Sequence, residues 1–172
     1  MKKTIKLYNL IFPIWMVLFF PPVIFISLIG NYIIDSLVVI GCFFAYKLAN
    51  KDFNLKTIYK KRILKVWLYG FLSDFIGAAI LLILYFLVGI LNLSGLPAEA
   101  ILATAYDPSV QPLAFIIILL CIFISAAFIF LFNYKFVFKN QIKEKIIRFK
   151  ISLTIAIITA PWTFLLPTKW FY

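Results

Sequence analysis

Long apolar runs, separated by short basic segments, dominate the pattern of this chain. A membrane-spanning helix needs roughly 20 predominantly apolar residues. Five runs approach or exceed that length, at about residues 8–29, 31–47, 67–91, 112–133 and 151–167. The pattern predicts an all-α integral membrane protein. Its single membrane-embedded domain, residues 1–172, is expected to be a bundle of five transmembrane helices.

The first two runs also allow a different division, in which one helix covers residues 21–46. The basic residues favour two spans, because lysine and arginine concentrate in cytoplasmic loops. With five spans, all of the 17 lysines and arginines except Lys169 fall on one face. With a single helix, the N-terminal lysines would lie on the opposite face. The sequence therefore predicts five spans with the N-terminus in the cytoplasm.

Composition identifies lipid as the surrounding solvent. The chain is 65% hydrophobic and 13% charged, against about 45–50% and 25% in soluble domains. Its net charge of +11 follows from the inward bias of basic residues, so no nucleic-acid partner is expected. The expected partners are membrane lipids, including anionic headgroups on the cytoplasmic side. The expected location is a membrane, and specifically a bacterial plasma membrane.

A basic amphipathic segment precedes the third predicted span. Residues 52–67, DFNLKTIYKKRILKVW, carry apolar side chains at roughly helical spacing and lysines on the other face. Such a helix lies in the headgroup plane, so we predict an elbow before the third span. Its basic face is expected to dock an anionic lipid or a cytoplasmic protein partner, through Lys56, Lys60, Lys61, Arg62 and Lys65.

Proline residues mark two further features. In the outer loop, residues 91–111, Pro97 is expected to open a short helix and Asp107-Pro108 to end it. Within the spans, Pro21-Pro22 and Pro161 are expected to interrupt the first and fifth helices. Pro161 would free the carbonyl of Ile157. Broken helices often border ion or substrate sites in transporters, although spans also tolerate proline without such a role.

Asp74 is the main candidate for function, because a charged residue inside a span is costly and usually faces the protein interior. Gly70, Asp74 and Gly77 share one helical face, and small residues let neighbouring helices approach closely. Ser125 and Thr159, at similar expected depth, are candidate partners. Two interpretations remain open: Asp74 is a structural hydrogen-bonding centre, or it binds a proton or cation.

Asp35 is the second carboxylate within a predicted span. Asn31 is expected to cap the second helix at the outer surface, which would place Asp35 about one turn inside. A carboxylate there is favoured by the helix dipole. These positions separate Asp35 from Asp74 by ~14 Å along the membrane normal. Asp35 is therefore a second candidate binding residue, but not one in contact with Asp74.

Side chains that usually carry metal or cofactor chemistry are scarce. The chain has no histidine, which excludes histidine-dependent triads and the usual zinc and haem sites. Cys42 and Cys121 lie in apolar surroundings and are expected to be small buried residues. We therefore predict no metal site, no cofactor and no catalytic constellation.

Two short segments around the aspartates, GNYIID and FLSDFIG, are similar to the two aspartate motifs of the lipoprotein signal peptidases. The resemblance implies an intramembrane aspartyl hydrolase. It covers about ten residues. Asp35 is followed by Ser36 where that family has arginine, and Phe71-Leu72-Ser73 replaces the Asn-x-Ala of the second motif. The catalytic roles of that family are not transferred to this chain.

Three functions remain in order of preference. The first is a small polytopic membrane protein that serves as a membrane subunit or accessory component of a transport assembly. The second is a self-contained, oligomeric small transporter or channel that uses Asp74 and Asp35. The third is an intramembrane aspartyl hydrolase that uses both carboxylates. The partner would be another subunit in the first case and further copies of the chain in the second.

Overall fold

The computed structural model describes residues 21–51 and 54–168, where every regular element is helical. The α-helices are α1 Pro21–Ala45, α2 Leu55–Ile90, α3 Leu96–Tyr106, α4 Pro112–Phe132 and α5 Lys145–Ile158. Four segments of the described chain are long and apolar enough to cross a membrane. The prediction of an all-α fold with helices long and apolar enough to cross a membrane is confirmed. The number of spans and their orientation stay predictions.

Side chains on α4 are distributed as expected for a helix surrounded by lipid. Phe123 and Leu120 are exposed, at 65% and 57%, whereas Ser125 and Ala114 are fully buried. A soluble helix would bury its large apolar residues. Helix α4 also buries three isoleucines, Ile118, Ile122 and Ile129, so it is apolar on both its buried and its exposed face. A helix that is apolar all round is typical of a membrane span.

Helix α1 does not follow the predicted division between the first two spans. It runs without a break from Pro21 to Ala45, so the predicted boundary between residues 29 and 31 is wrong. Residues 8–20 of the predicted first span lie outside the described residues. A glycine in a helix costs only ~1 kcal/mol, and Gly30 does not end this one. Breaking the helix would leave backbone groups without partners in the membrane, which costs more.

Helix α2 shows that the predicted separate elbow helix is wrong. The basic segment and the third span form one continuous helix of 36 residues, which is ~54 Å long. Asn54 caps it, since its side chain accepts a hydrogen bond of 2.9 Å from the backbone N–H of Lys56. No glycine or proline lies between Leu55 and Tyr69. Nothing therefore bends the chain at Trp67, where the elbow was expected to end.

The remaining helices follow their sequence signals more closely. Helix α3 has Pro97 in its first turn and ends at Tyr106, as predicted. Helix α4 matches the predicted fourth span, and the side chain of Gln111 caps it through the backbone N–H of Ala114 at 2.9 Å. A π-helical turn, Asn133–Val137, follows α4. The predicted boundaries of α3 and α4 were accurate where a proline marked the start of the helix.

Helix α5 ends inside the predicted fifth span. Its last residue is Ile158, and a short 3₁₀ helix, Trp162–Leu165, follows after Pro161. Pro161 lacks the N–H that a continuing α-helix requires. The predicted interruption at Pro161 is therefore present.

Two buried apolar clusters form the core, and they occupy different levels of the bundle. The first joins the basic end of α2 to α1, α4 and α5, and on α2 it reaches Val66. The second lies towards α3, and on α2 it begins at Ala78. Asp74 lies between these two positions on α2, and Ser125 has the corresponding position on α4. A polar layer thus separates the two clusters, and it contains the candidate site.

Candidate functional site

Asp74 lies in the interior of the bundle, on the face of α2 that the glycines predicted. Its side chain is 6% exposed, and Gly70 and Gly77 on the same face are also buried. Neighbouring helices can approach this face because it lacks bulky side chains. The expectation that Asp74 faces the protein rather than lipid agrees with this burial.

Two residues of α1 face this part of α2. The side-chain amide of Asn31 donates a hydrogen bond of 3.3 Å to Oδ2 of Asp74. One turn further along α1, Oδ2 of Asp35 lies 3.4 Å from the position that a Cβ on Gly70 would occupy. Because α1 and α2 run in opposite directions, Asn31 lies beside Asp74 and Asp35 beside Gly70. Gly70 and Asp74 are themselves one turn apart, ~6 Å along α2.

The predicted separation of the two carboxylates is therefore wrong. Asp35 lies at the level of Gly70, so its depth differs from that of Asp74 by about one helical turn rather than ~14 Å. The error came from treating Asn31 as a helix cap. In the unbroken α1, Asp35 lies ~21 Å from Pro21 and ~15 Å from Ala45, and Asp35 is only 3% exposed.

Both carboxylates line one cavity of about 400 Å³. Helices α1 and α2 form one wall, and residues 158–164, where α5 ends, form the other. Thr159 lies in this second wall, and its hydroxyl donates a hydrogen bond of 2.9 Å to the carbonyl of Ile155. Three of the four candidate binding residues, Asp35, Asp74 and Thr159, thus lie around the same space.

Ser125 is placed differently from the other three candidates. It is fully buried on α4 against Gly77 and is not part of the cavity lining. Its hydroxyl has no hydrogen-bond partner within the described chain. The sequence placed Ser125 in the same layer as the cavity, but its side chain packs against Gly77 instead of lining that space.

The carbonyl freed by Pro161 already accepts a hydrogen bond within the chain. Nε1 of Trp162 donates a hydrogen bond of 2.9 Å to the carbonyl of Ile157. Trp162 thus satisfies the group that the proline leaves without its helical partner, and its ring remains in the cavity lining.

The two carboxyl groups of the cavity have no basic partner. No lysine or arginine is among the residues that line it in the part of the chain that the structure describes. Oδ1 of Asp74 is buried and has no hydrogen-bond partner there. Burying an uncompensated carboxylate costs several kcal/mol. Two such groups facing one space therefore require a proton or another cation beside them.

A group of hydroxyls adjoins Asp35 on the basic side of the layer. The hydroxyl of Ser36 donates to the carbonyl of Tyr32 at 2.7 Å and lies 3.1 Å from the hydroxyl of Tyr59. The hydroxyls of Tyr32 and Tyr59 are 3.4 Å apart. These bonds join α1 to the basic segment of α2, and they place polar groups between the cavity and the basic end of the bundle.

The proposed docking residues lie on the first turns of α2. Lys56, Lys60, Lys61 and Lys65 are exposed, and Arg62 is partly buried. The opposite side of the same turns is packed into the first apolar cluster, through Ile58, Ile63 and Val66. The segment therefore presents a basic face on a rigid helix, although it is not the separate elbow that was predicted.

The cysteines and acids do not form a metal centre within the described residues. Cys42 belongs to the first apolar cluster and Cys121 to the second, and both are buried free thiols. No group of three or more histidine, cysteine, aspartate or glutamate side chains lies close enough to hold a metal ion there.

Sequence reasoning missed two residues of the cavity. Asn31 was assigned to a helix cap, yet it bonds to Asp74. Trp162 was not among the candidates, yet it lines the cavity. Asn31 and Asp35 are four residues apart and would share a face of any continuous helix. That spacing was the available signal, and the division into two spans concealed it.

Comparison with known proteins places the chain in no family. No family model, curated protein or solved structure matches it.

Proposed function

We propose that the chain is a membrane component of a transport system, in which Asp35 and Asp74 bind a proton or a cation on its way through the bundle. One observation carries this proposal: carboxyl groups from two helices face one cavity whose lining, in the described chain, includes no basic side chain. Charged residues in spans commonly mark ion pathways and proton relays.

The end of α5 adds support, because it forms the cavity wall opposite the carboxylates. Substrate and ion sites of transporters commonly lie where a spanning helix is interrupted. A 3₁₀ turn is also easier to rearrange than a continuous helix, because it has fewer regular hydrogen bonds. The wall formed by residues 158–164 is therefore the part of the site best suited to open and close.

The chain would work either as a subunit of a larger assembly or as an oligomer of identical copies. The exposed lysines at the start of α2 support the subunit form, since they offer a cytoplasmic partner or an anionic lipid headgroup a charged surface. We propose a bacterial plasma membrane as the location, with this basic end in the cytoplasm. Purification in mild detergent, followed by mass spectrometry, separates the two forms: a stoichiometric second protein identifies a subunit, and a homo-oligomer identifies the self-contained form.

The transport proposal is tested in liposomes that contain the purified chain, together with any stoichiometric partner. A pH-sensitive dye reports proton flux, and a sodium- or potassium-selective dye reports the flux of these ions. Asp35→Asn and Asp74→Asn keep the size of the side chain but remove its charge. We expect each to abolish the flux, whereas Glu99→Gln, at an exposed acid on α3, leaves it unchanged. Flux that persists in both aspartate variants would disprove the proposal.

A second candidate is an intramembrane aspartyl hydrolase. It is favoured by the approach of Asp35 to the level of Asp74, because two carboxyls that share a proton are the machinery of aspartyl proteolysis. Incubation with membrane-embedded peptides, followed by mass spectrometry of the products, tests it. Cleavage must be lost in Asp35→Asn and in Asp74→Asn separately, and cleavage retained in either variant excludes this function.

A further inference from the structure

The cavity is larger than a proton or a metal ion requires. Its volume is about 400 Å³, whereas one water molecule occupies ~30 Å³ in the liquid. Cavities that bind small organic molecules commonly have volumes of about 300–1,000 Å³. The dimensions of the site therefore correspond to an organic ligand of modest size.

Most of the lining is apolar or aromatic. Ile34 contributes from α1, and Trp162 and Phe164 contribute from the segment after α5. Trp162 is 46% exposed, so its ring surface is accessible, whereas Phe164 is 3% exposed and forms part of the floor. Apolar groups of a ligand would be stabilised there, and a tryptophan face also attracts a cation.

The polar side of the cavity has two carboxyl groups that a proton or another cation must balance. Asp74 is nine-tenths buried, and its Oδ1 has no hydrogen-bond partner in the described chain. Asp35 faces the same space. No third histidine, cysteine, aspartate or glutamate joins them in a metal-binding group among the residues described. A cation that needs few oxygen ligands, such as an ammonium group, suits this set better than a divalent metal ion.

We propose that the cavity binds a small organic cation, an amine or quaternary ammonium with apolar substituents, with its charge at Asp35 and Asp74 and its apolar part against Trp162. This inference rests on the proposed transport function and names the class of its substrate. Each half of such a ligand would meet a different wall: the carboxylates of α1 and α2 bind the charge, and the segment after α5 binds the substituent.

Benzyltrimethylammonium and neopentylbenzene provide a direct test, because they have the same shape and differ by one positive charge. Binding to the purified chain, with any stoichiometric partner, is measured by titration calorimetry in a nonionic detergent. Binding to protein-free micelles is subtracted. We expect the cation to bind at least about tenfold more tightly than its neutral counterpart. Equal affinities would overturn the inference, and this comparison needs no variant.

Variants then locate the site. Asp35→Asn and Asp74→Asn should each weaken cation binding by about tenfold or more, and Glu99→Gln should not change it. Trp162→Leu should weaken binding of the cation more than binding of the neutral compound. Size-exclusion profiles and circular dichroism identify variants that fail to fold. Unchanged cation binding in a folded double variant, Asp35→Asn with Asp74→Asn, would overturn the inference.

Ion flux measured in liposomes, compared with ligand binding, distinguishes failure of this inference from failure of the proposed transport function. Flux of protons or metal ions that depends on Asp74, without any binding of benzyltrimethylammonium, would overturn the ligand class and keep the transport function. Charge-selective binding without any flux would keep the ligand class and overturn transport. The absence of both would overturn both proposals.

Discussion

Asn31 and Asp74 are 43 positions apart in the chain, and a hydrogen bond of 3.3 Å from the amide of Asn31 joins them across α1 and α2. It is one of several hydrogen bonds that join these two helices. With the helices held in this register, Asp35, one turn from Asn31, meets Gly70 and faces the cavity.

The first prediction concerns this bond. Asn31→Ala and Asp74→Ala should each destabilise the chain, and the double variant should lose less than the sum of the two. Hydrogen bonds to charged groups contribute about 1.5–3 kcal/mol and neutral ones about 1 kcal/mol. We expect a coupling energy of about 1 kcal/mol or more between Asn31 and Asp74. Reversible unfolding in mixed detergent micelles measures it, and strictly additive effects would contradict the bond.

The second prediction concerns the packing of α2 against α4. A Cβ on Gly77 would collide with Oγ of Ser125 and lie 3.3 Å from both the carbonyl oxygen of Cys121 and the ring of Phe164. Two of these neighbours are backbone or buried ring atoms that cannot easily move. We therefore expect Gly77→Ala to destabilise the chain by about 1–3 kcal/mol, measured by the same unfolding experiment.

Gly89→Ala is the matched control for Gly77→Ala, since Gly89 lies on the same helix and has no atom within 4 Å of the position that a Cβ would occupy. Alanine is favoured over glycine inside a helix by ~1 kcal/mol. Gly89→Ala should therefore leave stability unchanged or raise it. If both variants behave alike, the close approach of α4 at Gly77 is not present.

The third prediction concerns the number of spans, which also determines where the N-terminus lies. Single cysteines replace Lys3, Lys61 or Glu99 in a chain in which Cys42 and Cys121 are alanine. Labelling with a membrane-impermeant maleimide then reports the face of each position. Five spans predict that Lys3→Cys and Lys61→Cys label from the same face and Glu99→Cys from the other.

A different labelling pattern would contradict the prediction of five spans. If residues 21–45 are the first span, Lys3→Cys will label from the face of Glu99→Cys. The distribution of lysines would then be an incomplete guide to orientation in this chain. Lys61→Cys and Glu99→Cys should label from opposite faces in either case, since they lie at opposite ends of the path along α2.

The fourth prediction concerns the basic face of α2. Reversal of charge at Lys60, Lys61 and Arg62 to glutamate should release a cytoplasmic partner or weaken binding to anionic vesicles. Each basic residue near such a surface contributes about 1 kcal/mol. The matched control places three glutamates at Lys135, Lys139 and Lys143, on the basic segment after α4. Unchanged binding in the α2 variant, or equal loss in both, would show that α2 is not a specific docking surface.

The sequence allowed the class of fold and the level of the site to be predicted, because both depend on local patterns. Apolar length predicted membrane-spanning helices, and Pro97, Pro112 and Pro161 marked helix boundaries that the structure reproduces. The spacing of Gly70, Asp74 and Gly77 predicted the buried face of α2. Each of these signals lies within one segment and requires no knowledge of its neighbours.

The similar depth of Asp35 and Asp74 in the bundle could not be predicted from such local patterns. It depends on which residues of α1 lie opposite α2, and the assignment of Asn31 to a helix cap gave the wrong height. The basic segment was misjudged for a related reason. Its amphipathic pattern describes a helix with one apolar side, and that pattern is the same whether this side meets lipid or the buried residues Ile142 and Ile147.

Because α2 is a single helix of 36 residues, it connects the basic face to the interior of the bundle as one rigid element. Lys56 lies 18 residues from Asp74, a distance of ~27 Å along a rigid axis. Any force that tilts the basic end, from a bound protein or a charged bilayer surface, would move Asp74 relative to the segment after α5. Docking at one end would then set the width of the cavity at the other, without an additional relay between them.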